Sequence, residues 1–195
     1  MSEKVSREQP LDYLKSYKEN SLGVMQRISE QEVAGLISLL SDARKANRQI
    51  FLCGNGGSAS TASHFANDLG KGASWNRDER FRVLALTDNV SWITALANDT
   101  DYSQIFVEQL KNYASSDDVL IAFSGSGNSP NVVEVVQWAN ENSVVTVGIT
   151  GRPGGKLGKM ARYPIFVESS HMGHIEEGHF LIQHLVGYYF METEE

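Results

Sequence analysis

Two stretches limit what this chain can fold into more than any others, because each runs from an apolar, strand-like segment through a turn of glycine, serine and asparagine straight into a helix. Residues 49–53 form the first segment, Gly54-Asn55-Gly56-Gly57 turns the chain, and a helix is predicted from Ser58 to about residue 71. Residues 119–123 form the second, followed by Ser124-Gly125-Ser126-Gly127-Asn128-Ser129 and a helix that opens at Pro130 with Ser129 as its N-cap. Glycine removes the side chains that would block close approach, so backbone N–H groups can converge on an anion. The following helix directs its unpaired N–H groups and positive dipole end at the same point. One such turn is more often an ordinary strand-to-helix connection. Two of them, at the ends of two strands of one sheet, point to a ligand, since open α/β sheets bind at strand C-termini. Neither turn holds Lys or Arg, so a phosphate there would rest on neutral donors. The Lys of a P-loop is missing. Gly54, Gly56 and Ala59 fit a relaxed dinucleotide-binding spacing, but the acidic partner about 20 residues on falls at Asp78 or Glu79 in a polar loop.

The rest of the chain keeps the same alternation. Helices are predicted over 10–26, with Leu11, Leu14, Tyr17, Leu22, Val24 and Met25 as its apolar positions, and after the capping pattern Ser29-Glu30-Gln31-Glu32, with Val33, Leu36, Ile37, Leu40 and Ala43 at three- and four-residue steps. Residues 72–80 read as a polar surface loop. Strands are predicted at 81–87, 144–150 and 163–167, the second of these apolar enough to be buried on both faces. Further helices are predicted over 88–96, 103–114, 130–142 and 174–191, with turns at 97–101 and 151–155. Strands alternating with helices give an α/β fold of three layers, a parallel sheet between two layers of helices. The 195 residues suit one domain, with residues 1–47 as N-terminal helices and 48–195 as the α/β core.

A formal net charge of −7 argues against non-specific nucleic-acid binding, which depends on Lys and Arg neutralising phosphates, but not against a small phosphorylated ligand. Cys53 is the single cysteine, set in an apolar strand where a buried, inert thiol is expected. No apolar run is long enough to span a bilayer and the first residues lack a signal-peptide core, so a cytoplasmic protein is expected.

His64 and Asp68 are four apart in a predicted helix and share a face on which one proton or metal ion can be met. Taken alone, such a pair is more often a solvated one. Glu176 and His184 are eight apart in the last helix, about 80° off a common face and roughly 12 Å apart along the axis, and periodicity prefers Glu177 as the companion of His184. His171, His174 and His179 are assigned to surface or packing.

Cys-Gly-Asn-Gly-Gly-Ser at 53–58, His-Phe-Ala at 64–66, Ala-Asn-Asp at 97–99, Ser-Gly-Asn-Ser at 126–129, Thr-Gly at 150–151 and the His-rich terminal helix together resemble the sugar isomerase (SIS) domain. More narrowly, they resemble the phosphoheptose isomerases, also called sedoheptulose 7-phosphate isomerases. The resemblance covers nearly the whole chain. It implies a five-stranded parallel sheet, a homotetramer with active sites shared between subunits, and the interconversion of a ketose phosphate and an aldose phosphate, sedoheptulose 7-phosphate being the expected substrate and D-glycero-D-manno-heptose 7-phosphate the product. Asn55, Gly56, Gly57, Ser58, Ser124, Gly125, Ser126 and Ser129 are implied around the phosphate and upper sugar, Asp99 and Glu176 near the substrate, and His64, Asp68, Glu176 and His184 as a catalytic and metal cluster. Isomerisation through an enediol needs a base for the carbon-bound proton and a second group that moves a proton between oxygens. The expected roles are Asp68 as base and His184 as acid or shuttle, with Glu176 as a second carboxylate. By ligand type, the metal expected is zinc. The chain departs from the family pattern in having Asp68 for a usual Glu, Glu176 for a frequent Gln, and Gly173 for a sugar-contacting Asp. The alternative is a non-catalytic binding protein of the same fold, either a partner of a replication initiator or a sugar-phosphate sensor. Leu11, Leu14, Leu22, Val24 and Met25 exceed what one sheet face needs and are expected to meet another subunit.

Overall fold

The protein is described from a computed structural model over residues 9–193. The ends of the expected domain, residues 1–8 and 194–195, lie outside the described residues. Pro10 occupies the first helical position of α1 (Pro10–Met25), where its missing N–H costs nothing. Ser29 caps α2 (Glu30–Lys45) by accepting the Glu32 N–H at 3.2 Å. Then follow β1 (Gln49–Cys53), α3 (Gly57–Asn67), β2 (Arg82–Ala85), α4 (Val90–Asp99), α5 (Val107–Tyr113), β3 (Val119–Ser124), α6 (Pro130–Glu141), β4 (Val145–Gly151), α7 (Leu157–Met160), β5 (Tyr163–Val167) and α8 (Met172–Glu192).

The five strands form one parallel sheet in the order β2-β1-β3-β4-β5. β1 and β3 are neighbours, with Cys53 level with Ala122, so the two glycine-serine turns leave the sheet side by side. Each face is closed by its own apolar layer. Leu36, Leu40, Phe65, Ile182 and Phe190 pack on one side, and Phe106, Leu110, Val132, Val136 and Leu157 on the other. Helix α8 packs across α1, α2 and α3, and this brings the last helix onto the helix that follows the first turn.

Several elements differ from expectation. The helix after the first turn changes at Asp68 into a π turn (Asp68–Gly72), in which the Ala73 N–H reaches back to the Asp68 carbonyl at 2.7 Å. The 72–80 segment is not all surface. Ala73 and Ser74 are buried, and the Ser74 hydroxyl donates to the Leu69 carbonyl (2.8 Å) while accepting the Phe81 N–H (2.9 Å). Asn89 accepts the Trp92 N–H and starts α4 later than expected, so the helix runs through the predicted turn to Asp99. The 103–114 helix divides into a 3₁₀ turn (Tyr102–Gln104) and α5, and α7 forms between the predicted turn at 151–155 and the strand at 163–167, where the sequence predicts no element. Of the five residues expected to meet another subunit, Leu11, Leu14 and Leu22 are exposed, but Val24 is buried and Met25 packs against the core.

Candidate active site

The two turns and the start of α8 enclose a cavity of about 280 Å³ lined by Asn55, Gly56, Gly57, Ser58, Phe123, Ser124, Gly125, Ser126, Ser129, Met172 and Glu176. The neutral donors expected around a phosphate therefore share one space, into which the N-termini of α3 and α6 open. Glu176 is the one ionisable group of this lining. A Cβ on Gly57 would stand 2.6 Å from the Glu176 carboxylate, so glycine at 57 is what lets α8 lay that carboxylate against the first turn.

The second turn is held rigidly from behind. Gly127 has φ +65°, and a Cβ there would fall 2.0 Å from the Gly154 carbonyl oxygen. The Gly127 carbonyl accepts the Leu157 N–H (2.9 Å), the Gly125 carbonyl accepts the Gly151 N–H (3.1 Å), and Asn128 Oδ1 accepts the Lys156 N–H (3.1 Å). Ser129 stands at the N-cap position of α6, but its hydroxyl makes no capping bond and lies 3.3 Å from the Ser124 hydroxyl, which also accepts the Gly127 N–H at 3.2 Å. Both hydroxyls line the cavity.

At the other end of α3 a second group assembles. His64 Nε2 is 3.3 Å from His184 Nε2 and 3.3 Å from Asp68 Oδ2, and His184 Nε2 is 4.0 Å from the same oxygen. Asp68 is 6% exposed, and its Oδ2 is buried with no hydrogen-bond partner. Phe180 packs edge-on against both imidazoles. Two ring nitrogens facing each other need a proton or a cation between them, and the orphaned carboxylate oxygen asks for the same. Ligands at ~2.0–2.1 Å around a tetrahedral ion lie roughly 3.3–3.4 Å from one another. The two separations from His64, both 3.3 Å, fit such an ion, and the 4.0 Å between His184 and Asp68 is wider than one would leave.

Glu176, expected among these ligands, lies outside the group that His64, Asp68 and His184 form, and lines the anion cavity instead. Glu177, the companion of His184 by periodicity, is spent on α1, where it accepts the Tyr17 hydroxyl (2.9 Å) and the Ser21 hydroxyl (2.5 Å); the first of these bonds holds the Tyr17 phenol above its usual range. Asp99 sits exposed at the end of α4, accepting the Asn98 amide at 2.8 Å, and is not part of the cavity lining. His171 is exposed and His174 buried. His179 is fully buried against Phe123, and burial lowers its imidazole to about 4, which keeps it neutral. Sequence reasoning passed over Phe123 and Met172 in the cavity wall, and Asn131 and Tyr102, which bond to Asn55 behind it. The only local signal for Asn131 was its place in the first turn of the helix after the serine loop.

Known proteins give this geometry a setting. The SIS domain family model matches residues 13–151. Over 180 residues the chain is 33% identical to a phosphoheptose isomerase of Aneurinibacillus thermoaerophilus, with 90% of each chain covered. Its fold superposes on a phosphoheptose isomerase from Francisella tularensis with a TM-score of 0.89 at 28% identity, covering 95% of this chain and 100% of that one. It superposes on the enzyme from Neisseria gonorrhoeae with a TM-score of 0.87 at 27% identity and the same coverage.

Proposed function

We propose that this chain, which belongs to the SIS domain family and within it to the phosphoheptose isomerases, interconverts sedoheptulose 7-phosphate and D-glycero-D-manno-heptose 7-phosphate through an enediol. The observation that carries the proposal is the placement of an anion pocket with neutral donors in both its turns and a His/Asp/His cluster at opposite ends of α3. A heptose 7-phosphate likewise has its phosphate at one end and its reacting carbons at the other. Gly57 and His64 are seven residues apart, roughly 10 Å of helix.

The serines and backbone N–H groups of the two turns hold the phosphate, with Asn55 donating beside them. Glu176 is the carboxylate that faces the cavity, two turns of α8 before His184, and we assign it the carbon-bound proton of a sugar that extends from the cavity toward the cluster. Asp68, buried against two imidazoles, orients His64 and His184, and in the ion-free cluster His184 is the group that moves a proton between the two substrate oxygens. His64, His184 and Asp68 would hold zinc, which when bound stabilises negative charge developing on those oxygens. Asp99 is assigned to the substrate side of the assembled site.

Exposed apolar side chains support association. Leu185, Tyr188 and Tyr189 on α8 and Leu11, Leu14 and Leu22 on α1 are exposed, and His184 opens into a concavity lined by Leu181, Leu185 and Tyr188. A second copy seated there would cover the His64–Asp68–His184 cluster, which supports an assembly with shared sites, and the count of four in the proposed homotetramer comes from the family resemblance. No helix among the described residues is long and apolar enough to cross a membrane, and we place the enzyme in the cytoplasm with its sugar phosphates.

Incubation with a panel of phosphorylated ketoses tests the reaction: aldose 7-phosphate should form from sedoheptulose 7-phosphate. Binding without any aldose from any member of the panel would instead identify a sensor or binding protein. Chelation tests the metal. Activity should be lost, return with Zn²⁺, and His64→Ala should lower the zinc measured by elemental analysis. Full activity in protein verified as metal-free would leave the cluster a purely acid/base one.

A further inference from the structure

The anion pocket is made from two loops, and a pair of amides joins them from behind. Asn131, 1% exposed in the first turn of α6, donates through Nδ2 to Asn55 Oδ1 and accepts Asn55 Nδ2 at its own Oδ1, both at 2.8 Å. The direction of this pair is set by the backbone. The Val132 N–H, which can only donate, reaches Asn131 Oδ1 at 3.0 Å as well as the Ser129 carbonyl at 3.1 Å. Turning the Asn131 amide over would set an NH₂ group against that N–H.

With Asn131 held, its NH₂ group faces Asn55, and only the Asn55 carbonyl oxygen can receive it. The Tyr102 hydroxyl lies 3.2 Å from that same oxygen and therefore donates to it too. The 3₁₀ turn that carries Tyr102 is itself capped, the Ser103 N–H donating to Asp101 Oδ1 at 2.8 Å. Asn55 thus spends its oxygen on two donors and one amide hydrogen on Asn131. Its second amide hydrogen meets no acceptor among the described residues, and Asn55 lines the cavity. We infer that Asn131 and Tyr102 are positioning residues that hold Asn55 with its remaining N–H presented to the bound phosphosugar, an inference that rests on the proposed isomerase site.

The test uses the full chain with Asn55→Ala, Asn131→Ala, Tyr102→Phe and the Asn55/Asn131 double alanine variant. KM and kcat for sedoheptulose 7-phosphate, calorimetric binding of that sugar and thermal melting are measured for each. Loss of the bonds that hold Asn55 should raise KM about tenfold in Asn131→Ala and about threefold in Tyr102→Phe, with kcat moving less. Since Asn131 acts through Asn55, the double variant should bind no worse than Asn55→Ala alone. Additive losses in the double variant, or wild-type KM in both single variants, would overturn the inference. Tyr102→Phe, at a site 54% exposed, carries the test if Asn131→Ala does not fold, and an unchanged KM there then overturns it. A wild-type chain that neither binds nor converts the sugar overturns the isomerase reading and this inference with it. Wild-type turnover beside unaltered variants overturns this inference alone.

Discussion

The anion pocket and the histidine cluster sit at the two ends of α3 and are built by opposite means. The two turns that form the pocket are backbone and small neutral side chains, fixed by strand ends, by contact with the Gly154 segment and by amide pairing, with Glu176 the one carboxylate brought to them from α8. The cluster is two imidazoles and a carboxylate, from α3, the π turn after it and α8, gathered around a buried Asp68 oxygen that no protein donor satisfies. A phosphate carries the same charge in substrate and product, so the turns proposed to hold it gain from rigidity. The reacting end must take and return protons, so it needs groups whose partners can change.

That division predicts different failures at the two ends. The largest is at the cluster: His184→Ala should lower kcat about 10²- to 10⁴-fold, the usual worth of a positioned acid or base, while calorimetry finds sugar-phosphate affinity within a few-fold of wild type. Affinity falling as far as kcat would mean that the two ends are not separate.

Next is a contrast between imidazoles on one helix. His184 faces solvent and the cluster, whereas His179 is buried and lowered to about 4 by desolvation. Between about 4 and the ordinary value near 6.5 the unfolded chain binds the proton that the folded chain refuses. Stability should therefore rise with pH through this window, be complete above it, and drop by roughly 3 kcal/mol on acidification to about pH 4. In urea titrations across that range, His179→Leu should flatten the dependence. An equally steep curve in the variant would place the acid sensitivity elsewhere.

Gly127→Ala tests the rigidity assigned to the pocket. A positive φ and a backbone oxygen at 2.0 Å should together cost about 2 to 3 kcal/mol of folding stability, visible as a lowered urea midpoint. The smallest effects belong to single donors. Ser124→Ala and Ser129→Ala should each weaken phosphosugar binding by ~1 to 3 kcal/mol with melting little changed. If both variants bind as wild type, the phosphate lies outside this cavity.

The two ends also differ in how far they can be read from the chain. Strand, glycine-serine turn and helix start are consecutive in sequence, so their order alone places Ser58, Ser124, Ser126 and Ser129 together, and β1 and β5 have their expected bounds. Periodicity puts His64 and Asp68 on one face, but nothing local brings His184, 120 residues on, to within 3.3 Å. That part rests on family resemblance. The separation of Glu176 from the cluster is not legible, because it depends on the side chain lying against Gly57. Nor is the π turn at Asp68, nor the diversion of Glu177 to Tyr17 and Ser21, which is decided by how α1 packs on α8.

Helix α8 links the two ends, with the Glu176 carboxylate in the anion cavity and His184 two turns further on. Glu176→Gln keeps the size of the side chain and removes its basicity. Wild-type and variant protein, each titrated with sedoheptulose 7-phosphate in the calorimeter and then followed by NMR for aldose 7-phosphate, separate binding from chemistry in one pair of samples. The expected result is affinity equal to or better than wild type in the variant, since a negative charge beside the phosphate is gone, together with a loss of aldose formation of about 10²-fold or more. Aldose formation at the wild-type rate in Glu176→Gln would contradict it.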